Sequence, residues 1–210
     1  MNALRCNPAV SRVSSMAVLV LALLADSSLA QKAEQPDVKV GDQWQFVTYY
    51  SSPSTKPNRA WVITSVTPTE IAGTENGEPL MLTPDLNVLE SPRHKDSNPK
   101  ALSFPLEVGK RWRYASDWVF KAKGSNGSSL VDVVVIGHAK VTVPAGEFDA
   151  FKLVAKGNLS GVSPINSVYA GETTTTYWYA PVARAIVKSV SHNPYLGVST
   201  VELVEFQLRP

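Results

Sequence analysis

Gln43-Trp44-Gln45-Phe46-Val47-Thr48-Tyr49-Tyr50 places Trp44 and Phe46 on one side of the chain and Gln43 and Gln45 on the other. Strand side chains point alternately to opposite faces, so the stretch reads as a half-buried β-strand. The same grammar continues outward. Arg59 to Val66 puts Trp61 and Ile63 on one face, and Arg111 to Lys121 carries aromatics at 112, 114, 118 and 120. Leu130 to Ile136, Lys140 to Val143, Phe148 to Ala155, Thr173 to Ala180, Ala185 to Val190 and Thr200 to Leu208 are rich in β-branched and aromatic residues. Short strands flank the tight-hairpin signal Asn76-Gly77. Ser51 to Asn58, Ser91 to Lys100 and the Gly/Ser run 123–129 read as loops or a flexible tip. Past the N-terminal segment no window repeats apolar residues at helical spacing, and prolines recur too often for a long helix. The expectation is an all-β protein, a curled antiparallel sheet of about ten strands forming a half-barrel or barrel.

Residues 1–30 carry the grammar of a secretory signal peptide. Arg5 and Arg12 precede the apolar run Met16 to Ala25, and the small-residue triplet Ser28-Leu29-Ala30 follows. Cleavage near Ala30 would place the product in the periplasm or outside the cell. The run is shorter than the roughly 20 residues a spanning helix needs, and no later segment is a transmembrane candidate. Cys6 is the single cysteine and precedes the run, so the mature chain is expected to be cysteine-free, without disulfide or lipid-bearing cysteine. After it, polar residues 31–37 read as a flexible leader and 38–210 as one β domain, possible as two related halves, 38–90 and 102–210, with 91–100 as the internal boundary. Basic and acidic side chains nearly balance, so nothing draws the chain toward nucleic acid.

One pattern occurs twice: Val40-Gly41-Asp42-Gln43-Trp44-Gln45-Phe46 and Val108-Gly109-Lys110-Arg111-Trp112-Arg113-Tyr114. Each reads as a turn into a strand whose two aromatics share a face. Duplication and coincidence of strand grammar both account for it. Four motifs then recur in order: Phe104 to Trp112, Val143 to Lys152, Thr176 to Pro181 and Ala185 to Ser189. In these the chain resembles the TapB-like family of exported bacterial proteins of unknown function, best over 100–208. The resemblance implies a curled antiparallel sheet like the lipoprotein-carrier half-barrels and supplies no catalytic residues. The chain departs from the family pattern at Pro181-Val182-Ala183-Arg184, where glycine is usual.

Zinc-protease, serine-hydrolase, phosphate-loop and dinucleotide motifs are missing, so no cofactor is expected. His94, His138 and His192 fall at expected loops or turns without a second histidine at ligand spacing, and no metal site is expected. Scattered carboxylates would make an acid/base pair only by meeting across a sheet, the chemistry a glycosidase uses. Lys110, Arg111 and Arg113 read as the wet face of a strand. The aromatics are the functional lead. Trp44, Phe46, Trp112, Tyr114 and Trp178 are the candidate ligand-binding residues, lining either a filled core or an apolar cleft. The expected function is non-enzymatic binding or carriage of an apolar small molecule or lipid-like envelope component. The alternatives are an accessory envelope protein with a protein partner, and a hydrolase using cross-strand carboxylates.

Overall fold

The structure, a computed structural model, describes residues 32–50, 58–165, 167–195 and 197–210. The expected signal peptide and most of the expected 51–58 loop lie outside the described residues. The elements are β-strands and two 3-10 turns. Twelve strands form one closed antiparallel barrel, close to the strand number that the turn spacing predicts.

The barrel consists of two six-stranded arcs. The first runs through β2 (Gln43–Tyr50), β3 (Asn58–Val66), β4 (Ile71–Glu75), β5 (Glu78–Leu82), β6 (Val88–Glu90) and β7 (His94–Asp96). The second runs through β9 (Arg111–Phe120), β10 (Ser125–Val143), β11 (Gly146–Val162), β12 (Val168–Ala180), β13 (Ala185–Asn193) and β14 (Gly197–Gln207). Pairing of β14 with β2 and of β7 with β9 closes the ring. Closure leaves no barrel edge exposed, which resolves the choice between half-barrel and barrel. A separate two-stranded pair, β1 (Lys32–Ala33) with β8 (Leu106–Glu107), lies beside it.

The doubled V-G-x-x-W pattern becomes the same turn twice. Gly41 and Gly109 both have φ near +91°, which a side-chain-bearing residue rarely adopts. The Asp42 N–H donates to Lys39 O and the Lys110 N–H to Glu107 O, each at 3.0 Å. Gly41 N–H then bonds Ile63 O, and Gly109 N–H bonds Val135 O, at 2.9 and 2.8 Å. Ile63 and Val135 return the bond to the carbonyls of Asp42 and Lys110. At the other unusual turn, Arg184 takes φ +50° without glycine, and its guanidinium is tied to Asp42 at 3.0 Å.

Several expectations need correction. Lys32 and Ala33 belong to β1 rather than to a loose leader, because the Ala33 methyl is buried in the cluster formed by Leu102, Leu106 and Tyr179. The segment 91–100 is not wholly loop: its polar residues His94–Asp96 pair with Trp118–Phe120 and close the barrel. The Gly/Ser run joins β10 from Ser125, since small residues are needed where strands meet closely. A Cβ at Gly127 would lie 2.0 Å from Ser160 O and 2.6 Å from the Trp118 ring. The two strands expected either side of Gly137-His138 are one strand, with a register shift between Val135 and Gly137. His138 therefore sits within a strand, its ring 3.8 Å from that of Phe151.

Two apolar clusters fill the interior. One gathers Trp44, Phe46, Ile63, Leu80, Leu82 and Leu203; the other gathers Leu102, Leu106, Val133, Phe151, Leu153 and Tyr179. At the base of β11 the two faces divide between them, Phe148 going to the first cluster and Phe151 to the second. The β10–β11 turn folds across onto β14, where Ala145 N–H donates to Leu203 O at 3.1 Å.

Candidate functional site

A cavity of about 300 Å³ takes its wall from both core clusters. Phe46 of β2, Trp61 of β3 and Val201 of β14 contribute from one side, and Tyr114 of β9, Tyr177 of β12 and Ile186 of β13 from the other. Each is delivered by strand alternation, which points every second side chain inward. Phe46 and Trp61 meet edge to face at 5.3 Å. The Trp61 indole N–H donates to Glu75 Oε2 at 3.0 Å, and Arg59 grips the same oxygen at 2.9 and 3.1 Å. Burial pushes the Glu75 carboxyl up, but Arg59 and Trp61 outweigh it and hold it below the usual carboxylate range. That charge is satisfied internally.

Asp96 and His94 also reach this wall. Asp96 Oδ1 accepts the Asn98 N–H at 3.0 Å and the Ser116 hydroxyl, while Oδ2 stands 3.6 Å from His94 Nε2. Burial raises the Asp96 pKa, but the bonds from His94, Ser116 and Asn98 carry it below its ordinary value. Burial also pushes the Tyr114 and Tyr177 phenols well above the usual tyrosine range, and the Asp96 charge adds to both shifts. Both therefore stay protonated at neutral pH and can serve as hydroxyl donors. The carboxylate stands between the serine and the imidazole. A serine hydrolase needs the imidazole between the other two. This arrangement orients polar groups and builds no nucleophile.

Of the five candidate residues, Phe46 and Tyr114 line the cavity and three do not. Trp44 shares the face of Phe46 but is 1% exposed, its indole N–H donating to Ala183 O at 2.8 Å. Trp112 shares the face of Tyr114, and its N–H bonds Lys100 O at 2.7 Å with the Lys110 ammonium 5.6 Å from its ring. Trp178 is packed against the first cluster with Lys152 over its ring at 5.3 Å. Its neighbour Tyr177 takes the cavity position instead, which the parity of β12 could have indicated.

The fold and site define a closed antiparallel barrel with an aromatic-walled cavity. Similar folds occur in two solved structures. One is a protein of Bacteroides fragilis NCTC 9343 with a YmcC-like fold, described as exported; the other, from Parabacteroides distasonis ATCC 8503, is described as a lipoprotein. Each aligns with a TM-score of 0.51 and 15% identity, over 83% of this chain and 99% of its own. No protein-family model and no curated protein matches the chain.

Proposed function

We propose that the chain is an exported, non-enzymatic binding protein that holds an apolar small molecule, or one arm of a lipid-like envelope component, in the barrel cavity. The carrying observation is the cavity: aromatic and aliphatic walls converging on a few ordered polar groups, the composition typical of small-molecule sites. Its volume lies at the low end for such sites, which favours a compact ligand over a whole multi-chain lipid. The protonated Tyr114 and Tyr177 hydroxyls would orient an acceptor atom on that ligand. Export is supported by the grammar of residues 1–30 and by the descriptions of the two structural neighbours. The four ordered motifs, together with a fold found in proteins so described, favour kinship with the TapB-like exported family.

Val201→Trp tests the reading by filling the cavity. The parent protein should bind a fluorescent acyl-chain or naphthyl probe. The variant should lose that binding while its melting midpoint stays close to the parent's. If the parent binds neither probe, the carrier reading falls, and the accessory role with a protein partner replaces it.

A further inference from the structure

We propose that one side of the barrel rim docks onto an anionic bilayer surface. In this antiparallel order the β9–β10, β11–β12 and β13–β14 connections emerge at the same end of the barrel. They abut one another. A Cβ on Gly124 would stand 3.1 Å from Pro164, and one on Gly171 would stand 2.7 Å from Pro194. The Tyr195 hydroxyl accepts the Ala170 N–H at 3.0 Å and donates to the Ala170 carbonyl, holding the β13–β14 tip against β12.

This ledge carries Ile165, 85% exposed, and Val168, 76% exposed, the most exposed large apolar side chains among the described residues. Leaving two such groups in water forgoes their burial. A cationic cluster adjoins it. The Lys121 N–H bonds Arg93 O at 2.8 Å, and Glu90 receives Lys121 at 2.6 Å and Lys95 at 3.3 Å. Lys123 has no ion pair among the described residues. Lys95 and Lys121 thus share one carboxylate, and Lys123 adds a further cation beside Lys121.

Residues 121–129, 163–168 and 191–200 contain no Asp or Glu. The next acidic side chains along these strands are Asp117, Asp132, Glu172 and Glu202, two to four residues beyond those ranges. The opposite end differs, with Glu70, Asp85, Glu107 and Glu147 at or beside its turns. Elsewhere on the same rim the Asn76-Gly77 hairpin is followed by the exposed Glu78.

These tips set exposed apolar side chains beside lysines. They suit the boundary between headgroups and acyl chains, where shallow apolar insertion and lysine attraction to anionic lipid act together. The bilayer is therefore the occupant these observations favour.

The test is co-sedimentation of the exported protein, purified from its host, with phosphatidylglycerol or phosphatidylcholine vesicles. Binding should be selective for phosphatidylglycerol and weaken as salt rises. Ile165→Asp with Val168→Asp should weaken it about tenfold or more, and Lys121→Glu with Lys123→Glu by a similar factor. Ile165→Ser with Val168→Ser serves as a milder pair if the aspartates disturb folding. Val201→Trp should bind vesicles like the parent, so failure of the cavity reading and failure of this one are distinguishable. Equal binding to both lipids, binding to neither, or full binding by folded rim variants would overturn the proposal.

Discussion

The two arcs of the barrel open with the same turn and then diverge. After Gly41 comes Asp42, fully buried, which collects the N–H groups of Lys39 and Arg209 and the guanidinium of Arg184. After Gly109 comes Lys110, half-buried, which donates to the carbonyls of Ser103 and Pro105. One position thus satisfies orphan donors with a carboxylate, and its counterpart satisfies orphan acceptors with an ammonium. Four residues into each pattern stands a tryptophan, sealed in the core in the first arc and left half-exposed in the second. The strands of the first arc are 3 to 9 residues long and those of the second 9 to 19. A repeated turn therefore fixes how a strand is launched. What the launched aromatic does depends on the chain that later covers it.

The tryptophan pair offers the largest effect with which to break this comparison. Trp44→Ala should cost about 3–5 kcal/mol, because it leaves a large cavity and an unpaired Ala183 carbonyl. Trp112→Ala should cost roughly half as much, since less of its surface is buried. Chemical denaturation of both variants measures the difference, and equal losses would mean that the two sites are packed alike.

Next come the charged counterparts. Asp42→Ala strips a partly buried arginine and two backbone N–H groups of their partner, an expected loss of roughly 3 kcal/mol. Lys110→Met frees only two carbonyls near solvent and should cost about 1 kcal/mol. Reversal of that order in denaturant midpoints would sink the assignment of the carboxylate as the stronger anchor.

The glycines should differ less. Valine at either position is strained by the positive φ, at about 1–3 kcal/mol. Gly109→Val meets open space, whereas a Cβ at Gly41 would come within 2.8 Å of the flexible Arg209 side chain. Gly41→Val should therefore be the worse of the two by a small margin in melting midpoint.

The smallest effect is in pH. Burial lowers the His138 pKa, with Asp149 opposing, and neither ring nitrogen has a hydrogen-bond partner. A depressed histidine pKa means that the unfolded chain takes up the proton first. Stability is then complete above the ordinary histidine value of about 6.5 and declines as pH falls through the lower folded value. His138→Phe should flatten that decline between about pH 7 and 5. If the parent and the variant share one profile, another group governs it.

The cavity was only partly legible in the chain. Alternation paired Trp44 with Phe46 and Trp112 with Tyr114 correctly, because face-sharing is a local property of a strand. It could not show which member of each pair reaches open space. Trp44 is closed off by the Ala183 carbonyl, 139 residues away, and Trp112 by that of Lys100. Trp178 lies one residue from Tyr177 on the opposite face of β12, so parity already set the two apart, and Tyr177 is the one that lines the cavity. His94 to Asp96 look like loop because their composition is polar. They are strand because β9 needs a partner on its open edge.

By itself the sequence determined what depends on neighbours in the chain: strand faces, the Asn76-Gly77 hairpin, the paired V-G-x-x-W turns and the all-β class. Each rests on backbone sterics or a period of two, and both act over a few residues. Tertiary structure alone decided the closure of the ring through β7, the docking of Ala33 beside Leu106, the division of the aromatics between core and cavity, and the meeting of three acid-free tips on one rim. These depend on contacts between residues far apart in the chain, and the free energy of such contacts is set by what the rest of the fold brings to the other side.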